Sequence, residues 1–115
     1  MSFTPVQMIG TQRSGSNLLR LMLNQLAGVS APHPPHILER FFPLLPAYHD
    51  LSVPANFEML VTDVCKLIEY NPVPWTGVSL HANEIIARCR KPQLTEIFRV
   101  IYEMRAESEN AKIWI

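Results

Sequence analysis

A parallel α/β architecture is predicted by three observations. A short apolar run at 6–9 leads into a small-residue loop, and an apolar helical stretch follows at once. A second strand-like run, Ala111-Lys112-Ile113-Trp114-Ile115, stands at the far end. Nearly everything between them has helical periodicity or is broken by proline. Parallel strands need long crossovers, and helices supply them. The chain has 115 residues, 48% apolar and 17% charged, which suits one domain with ample core material rather than a disordered chain.

Residues 6–9, Val-Gln-Met-Ile, read as a first strand buried on both faces. A helix is expected over 16–26, where Leu18, Leu19, Leu21, Met22, Leu23 and Leu26 cover most of the circumference, so it should be buried on several sides. Gly28 is its expected stop. Pro32, Pro34 and Pro35 forbid helix over 29–37 and leave an extended segment that carries His33 and His36. A short helix over 37–42 is interrupted at Pro43 and Pro46. Asn56 is placed to cap the next helix, whose stripe is Phe57, Leu60, Val61, Val64, Leu67 and Ile68, and Asn71-Pro72 ends it. A loop at 74–77 precedes a helix over 83–90. Pro92 opens another, with Leu94, Ile97, Phe98, Ile101 and Arg105 on one face, and a polar turn at 107–110 leads to the last strand.

Several function classes are excluded by composition. Ten Lys plus Arg balance ten Asp plus Glu, so no global field draws nucleic acid or an anionic membrane. No run approaches the roughly 18 apolar residues of a membrane span. The start, Met1-Ser2-Phe3-Thr4-Pro5, has no positive n-region and no long apolar segment, and the reading is of a cytoplasmic protein. Cys65 and Cys89 stand in no metal-type spacing and are expected as two buried free thiols. His33 and His36 are not a metal pair, because Pro34 and Pro35 prevent the helix that would bring them to one face. The chain closes on an apolar strand without cap or polar tail, which suggests the N-terminal part of a longer α/β protein.

Chemistry concentrates at the first loop. Gly10 and Gly15 match the G-x-x-x-x-G frame of a nucleotide-binding P-loop, but Ser16 and Asn17 stand where that motif has Lys and then Ser or Thr. A nucleoside triphosphatase needs that Lys on its phosphates and the hydroxyl on Mg²⁺. The loop's cation is Arg13 instead, so the site suits a phosphate held without metal. A nucleophile elbow is not formed either, since Gln12 takes the place of its first Gly around Ser14.

The stretch Gly10-Thr11-Gln12-Arg13-Ser14-Gly15-Ser16-Asn17-Leu18-Leu19 resembles the 5′-phosphosulfate loop of the sulfotransferases, roughly G-T-P-[RK]-S-G-[ST]-[ST]-hydrophobic. Gln12 replaces the usual Pro. Asn17 replaces a Thr or Ser and keeps a polar side chain able to cap the helix. The resemblance implies a P-loop-like parallel sheet with flanking helices, truncated here and helix-rich between its first and last strands. It implies 3′-phosphoadenosine 5′-phosphosulfate as donor, 3′,5′-adenosine bisphosphate as product, and no metal. Thr11, Gln12, Arg13, Ser14, Gly15, Ser16 and Asn17 would bind the donor, with Arg13 also stabilising the bridging oxygen as the S–O bond breaks. A fixed cation and convergent N–H donors are what charge on a leaving oxygen requires. The family's 3′-phosphate site, an Arg and a Ser after a later strand, has no match, so the chain would carry half of the donor site and turn over little alone.

The acceptor, a hydroxyl or amine of a small molecule, carbohydrate or lipid, must lose a proton as it attacks sulfur. The resemblance implies a Glu or His base beyond the loop, and His36, Glu39 and His33 fall there. A P-loop kinase relative and a non-catalytic binding module that keeps the loop as a structural turn are the alternative readings. Trp75 and Tyr70 are candidates for an acceptor pocket or for packing, and Arg88, Arg90 and Lys91 for an anion contact or a solvated helix end.

Overall fold

The structure, a computed structural model, describes residues 2–9 and 15–115. Two units divide it, one of residues 1–32 and 102–115 and one of residues 33–101. Five α-helices and one three-stranded parallel sheet are formed among the described residues.

The first unit holds β1 (Thr4–Pro5), α1 (Ser16–Leu23), β2 (Val29–Ser30) and β3 (Ile113–Trp114). Strand order is β1-β3-β2, with both outer strands parallel to β3. The register pairs Thr4 and Val29 with Ile113, and Pro5 and Ser30 with Trp114. The first strand therefore lies earlier than the apolar run at 6–9 predicts. Thr4 N–H donates to Lys112 O at 2.7 Å and Val6 N–H to Trp114 O at 2.8 Å. Along one edge of a parallel ladder only alternate residues donate, and Pro5, with no N–H, falls on the silent position of an outer strand. Beyond Val6 the run has no strand partner among the described residues, and Ile9 is 95% exposed.

The second strand was expected only as extended chain. Gly28, at φ +79, turns the backbone after α1, and its carbonyl accepts from Lys112 and Ile113 N–H, both at 3.2 Å. Ile115 N–H then donates to Ser30 O at 2.9 Å. Trp114 is buried and stacks obliquely on Tyr102, ring centres 5.2 Å apart.

In the second unit, α2 (Ile37–Phe41) passes into a 3₁₀-helix (Phe42–Tyr48) that runs through Pro43 and Pro46 rather than stopping there. Next come α3 (Pro54–Glu69) and α4 (Ala82–Arg88), and α5 (Leu94–Ser108) carries the chain from this unit into the first. Of the predicted stripe of α3, Phe57, Leu60, Val61, Val64 and Ile68 are buried, with Leu67 half-buried. Ile37, Phe41, Ile85, Leu94, Ile97, Val100 and Ile101 are buried as well. Val53, not Asn56, is the N-cap of α3, with Pro54 at its first position; Asn56 Nδ2 donates instead to Asp50 O at 3.0 Å. Pro there needs no N–H and presets φ. Helix α5 runs to Ser108, further than expected, and stops where Asn110 takes the left-handed conformation and Ala111 N–H reaches back to Ala106 O at 2.8 Å.

Helix α1 departs most from expectation. It spans eight residues, none of them buried, and Leu18, Leu19, Leu21 and Met22 are all exposed. The strands of the same unit have two residues each and offer about one side chain per face, too little surface to cover an apolar helix. Among the described residues no helix is long and apolar enough to cross a membrane.

Candidate functional site

Gly10, Thr11, Gln12, Arg13 and Ser14 lie outside the described residues; Gly15, Ser16 and Asn17 lie within them. Gly15 is the N-cap of α1 at φ +88, ψ 5, and its carbonyl receives the first helical bond, from Leu19 N–H at 3.0 Å. Among the described residues a Cβ there would meet nothing within 4 Å, and it is the left-handed backbone that calls for glycine. Ser16 opens the helix, and the N–H groups of this first turn have no partner within the helix, so partial positive charge collects there.

Asn17 does not cap the helix as expected. It lies inside it, and its Oδ1 accepts from Arg20 Nη2 at 2.9 Å and Nε at 3.3 Å. Arg20 Nη1 also donates to Ala31 O at 2.9 Å, and Asn24 Oδ1 accepts from Ala31 N–H at 2.8 Å. One face of α1 is thus bound to the chain just after β2 by polar side chains. The sequence reading missed this pair; its available signal was polar residues one and two turns apart at 17, 20 and 24 on an otherwise apolar helix.

In the second unit the structure brings two of the candidate bases together. His36 has φ 60 and ψ 42 at the N-cap of α2, and its Nδ1 lies 3.2 Å from Glu39 Oε2. Both side chains are open to solvent, 51% and 77% exposed. The carboxylate thus faces the Nδ1 edge of the ring, and Nε2 is the ring's other nitrogen. The sequence treated His36 and Glu39 as rivals, but the turn makes them partners. His33 has a different part, its carbonyl accepting the Trp75 indole N–H at 2.7 Å. Tyr70 is 76% exposed and lines neither cleft described below.

The basic cluster at 88–91 is tied into a helix junction. Glu96 accepts from Arg99 Nε at 2.9 Å and from Arg90 N–H at 2.8 Å, and Arg99 Nη2 donates to Arg88 O at 3.2 Å. The hydrogen bond from Arg99 does most to hold the Glu96 carboxyl down at about 2, against the opposing effect of burial. A cleft of about 350 Å³ opens beside it, with Arg90, Lys91 and Glu58 around an apolar floor that includes Phe57 and Ile86.

Both cysteines are free and half-buried. Burial pushes each thiol up to about 11, with the negative charge of Glu69 adding at Cys65 and that of Glu96 at Cys89, where Arg99 opposes it. Neither is an activated nucleophile at neutral pH. Among the described residues no group of three or more His, Cys, Asp or Glu is placed to hold a metal ion. A second cleft, of about 430 Å³, is bordered by Trp75 and the end of α3.

No protein-family model, no curated protein and no solved structure matches this chain.

Proposed function

We propose that the chain is a cytoplasmic, P-loop-like sulfotransferase using 3′-phosphoadenosine 5′-phosphosulfate, and that its first loop binds the 5′-phosphosulfate. The observation that carries the reading is the stretch from Gly10 to Leu19 running into α1, with Gly15 left-handed at the junction and Arg13 as the loop's cation. A left-handed glycine directly before a helix turns successive N–H groups towards one point, which suits a phosphate.

In the reaction, the acceptor oxygen or nitrogen forms a bond to sulfur as the bond from sulfur to the bridging oxygen breaks. Negative charge passes to the leaving 3′,5′-adenosine bisphosphate. Arg13 and the backbone donors of 14–17 stabilise that charge. The acceptor proton goes to a base, and His36 Nε2, backed by Glu39 at Nδ1, has the chemistry for it.

Titration calorimetry with 3′,5′-adenosine bisphosphate tests the reading. Saturable binding is expected without added metal, weakened about tenfold or more by Arg13→Ala, as loss of a charge-assisted contact to phosphate implies. Absence of binding, or binding indifferent to Arg13, would overturn it. Mg²⁺-dependent binding of ATP would favour the kinase reading instead, and binding of neither nucleotide a non-catalytic module.

A further inference from the structure

The larger cleft lies wholly within the second unit, and the loop chemistry does not use it. At about 430 Å³ it falls in the size range of small-molecule sites. One wall is Trp75, whose indole is pinned by the 2.7 Å bond from Nε1 to His33 O, so the ring is already in place before a ligand arrives. Ile68 and Leu80 add apolar surface.

The electrostatics of the lining are one-sided. Glu69 is its one carboxylate, no Lys or Arg lies in it, and His81 contributes no fixed charge when neutral. The Glu69 carboxylate makes no hydrogen bond or ion pair with any other described residue. Its field is felt in the cleft, since it helps to push the Cys65 thiol up. The smaller cleft of the same unit is the reverse case, with Arg90 and Lys91 beside Glu58. An anion would be repelled from the Trp75 cleft. A cation would meet an unpaired carboxylate and an aromatic ring, the two groups that stabilise an ammonium ion with an apolar body.

We propose that the Trp75 cleft binds a small organic ammonium ion, with its apolar part against Trp75 and its charged nitrogen at Glu69. This goes beyond the sulfuryl-transfer reading and does not depend on the phosphate loop.

The test uses the ¹⁵N-labelled full chain titrated with 2-phenylethylammonium and, separately, with 2-phenylethanol, its neutral counterpart. The ammonium is expected to shift the Trp75 indole N–H and the amides of 65–69 and 75–81, and to bind about tenfold more tightly than the alcohol. Glu69→Gln, whose spectrum reports whether the fold is kept, is expected to bring the ammonium down to the affinity of the alcohol. Equal affinities for the two probes would overturn the proposal. So would no binding of the ammonium, shifts lying elsewhere, or ammonium binding unchanged by Glu69→Gln. Failure here leaves the bisphosphate titration unaffected, so the two readings fail separately.

Discussion

Helices α1 and α3 are both rich in apolar residues, yet their surroundings are opposite. In α3, Leu60, Val61 and Val64 are wholly buried; in α1, Leu18 is 64% exposed and no residue of the helix is buried. Apolar content alone does not decide burial, because a helix is covered only when other elements bring enough apolar surface to its face. Helix α3 spans sixteen residues in a unit that also buries side chains from α2, α4 and the first half of α5. Helix α1 belongs to a unit whose strands are two residues each, and it is tied to the chain after β2 by hydrogen bonds from Arg20 and to Asn24.

The largest effect expected from this contrast is at Leu60. Leu60→Ala should cost about 3 kcal/mol, within the range for deleting a fully buried Leu side chain, measured as a shift in the urea unfolding midpoint. A cost below about 1 kcal/mol would mean that the α3 core relaxes freely and that the contrast is overstated.

An intermediate effect is expected at Asn24. Ala31 is wholly buried and its N–H donates to Asn24 Oδ1, so Asn24→Ala leaves a buried donor unpaired at a cost of about 1–2 kcal/mol. Hydrogen exchange reads this locally: the Ala31 amide should lose protection while the amides of α3 keep theirs. Unchanged protection at Ala31 would show that polar ties do not hold α1.

The smallest effect is expected at Leu18, where Leu18→Ala should change stability by no more than about 0.5 kcal/mol, as for a solvent-exposed position. A loss as large as that at Leu60 would reveal that α1 is covered in solution, and would erase the contrast.

Much of the architecture could be read from residue order. The stripe of α3, the presence of helices around 83–90 and after Pro92, the proline-enforced extended chain before Ile37 and the parallel relation of first and last strands all follow from local periodicity and breakers. The candidate site was legible only in part. The sequence marks Gly15 as a loop glycine of the G-x-x-x-x-G frame, and its left-handed N-cap conformation comes from the structure. The pairing of Asn17 with Arg20, and of His36 with Glu39, depends on which of several polar neighbours a side chain turns towards, and spacing leaves that open.

Periodicity along the chain is a local property, and with it come the kinds of element and their rough extents. Tertiary structure decided what depends on distant partners. The first strand sits at Thr4–Pro5 because β3 supplies the ladder and Pro5 fits its silent position. Residues 29–30 become a strand because β3 has a second edge. The exposure of α1 and the Trp75 cleft, whose indole is anchored on His33 far earlier in the chain, have the same origin. Hydrogen-bond register and burial are set by whichever surface arrives from elsewhere in the chain, and no window of neighbouring residues contains that information.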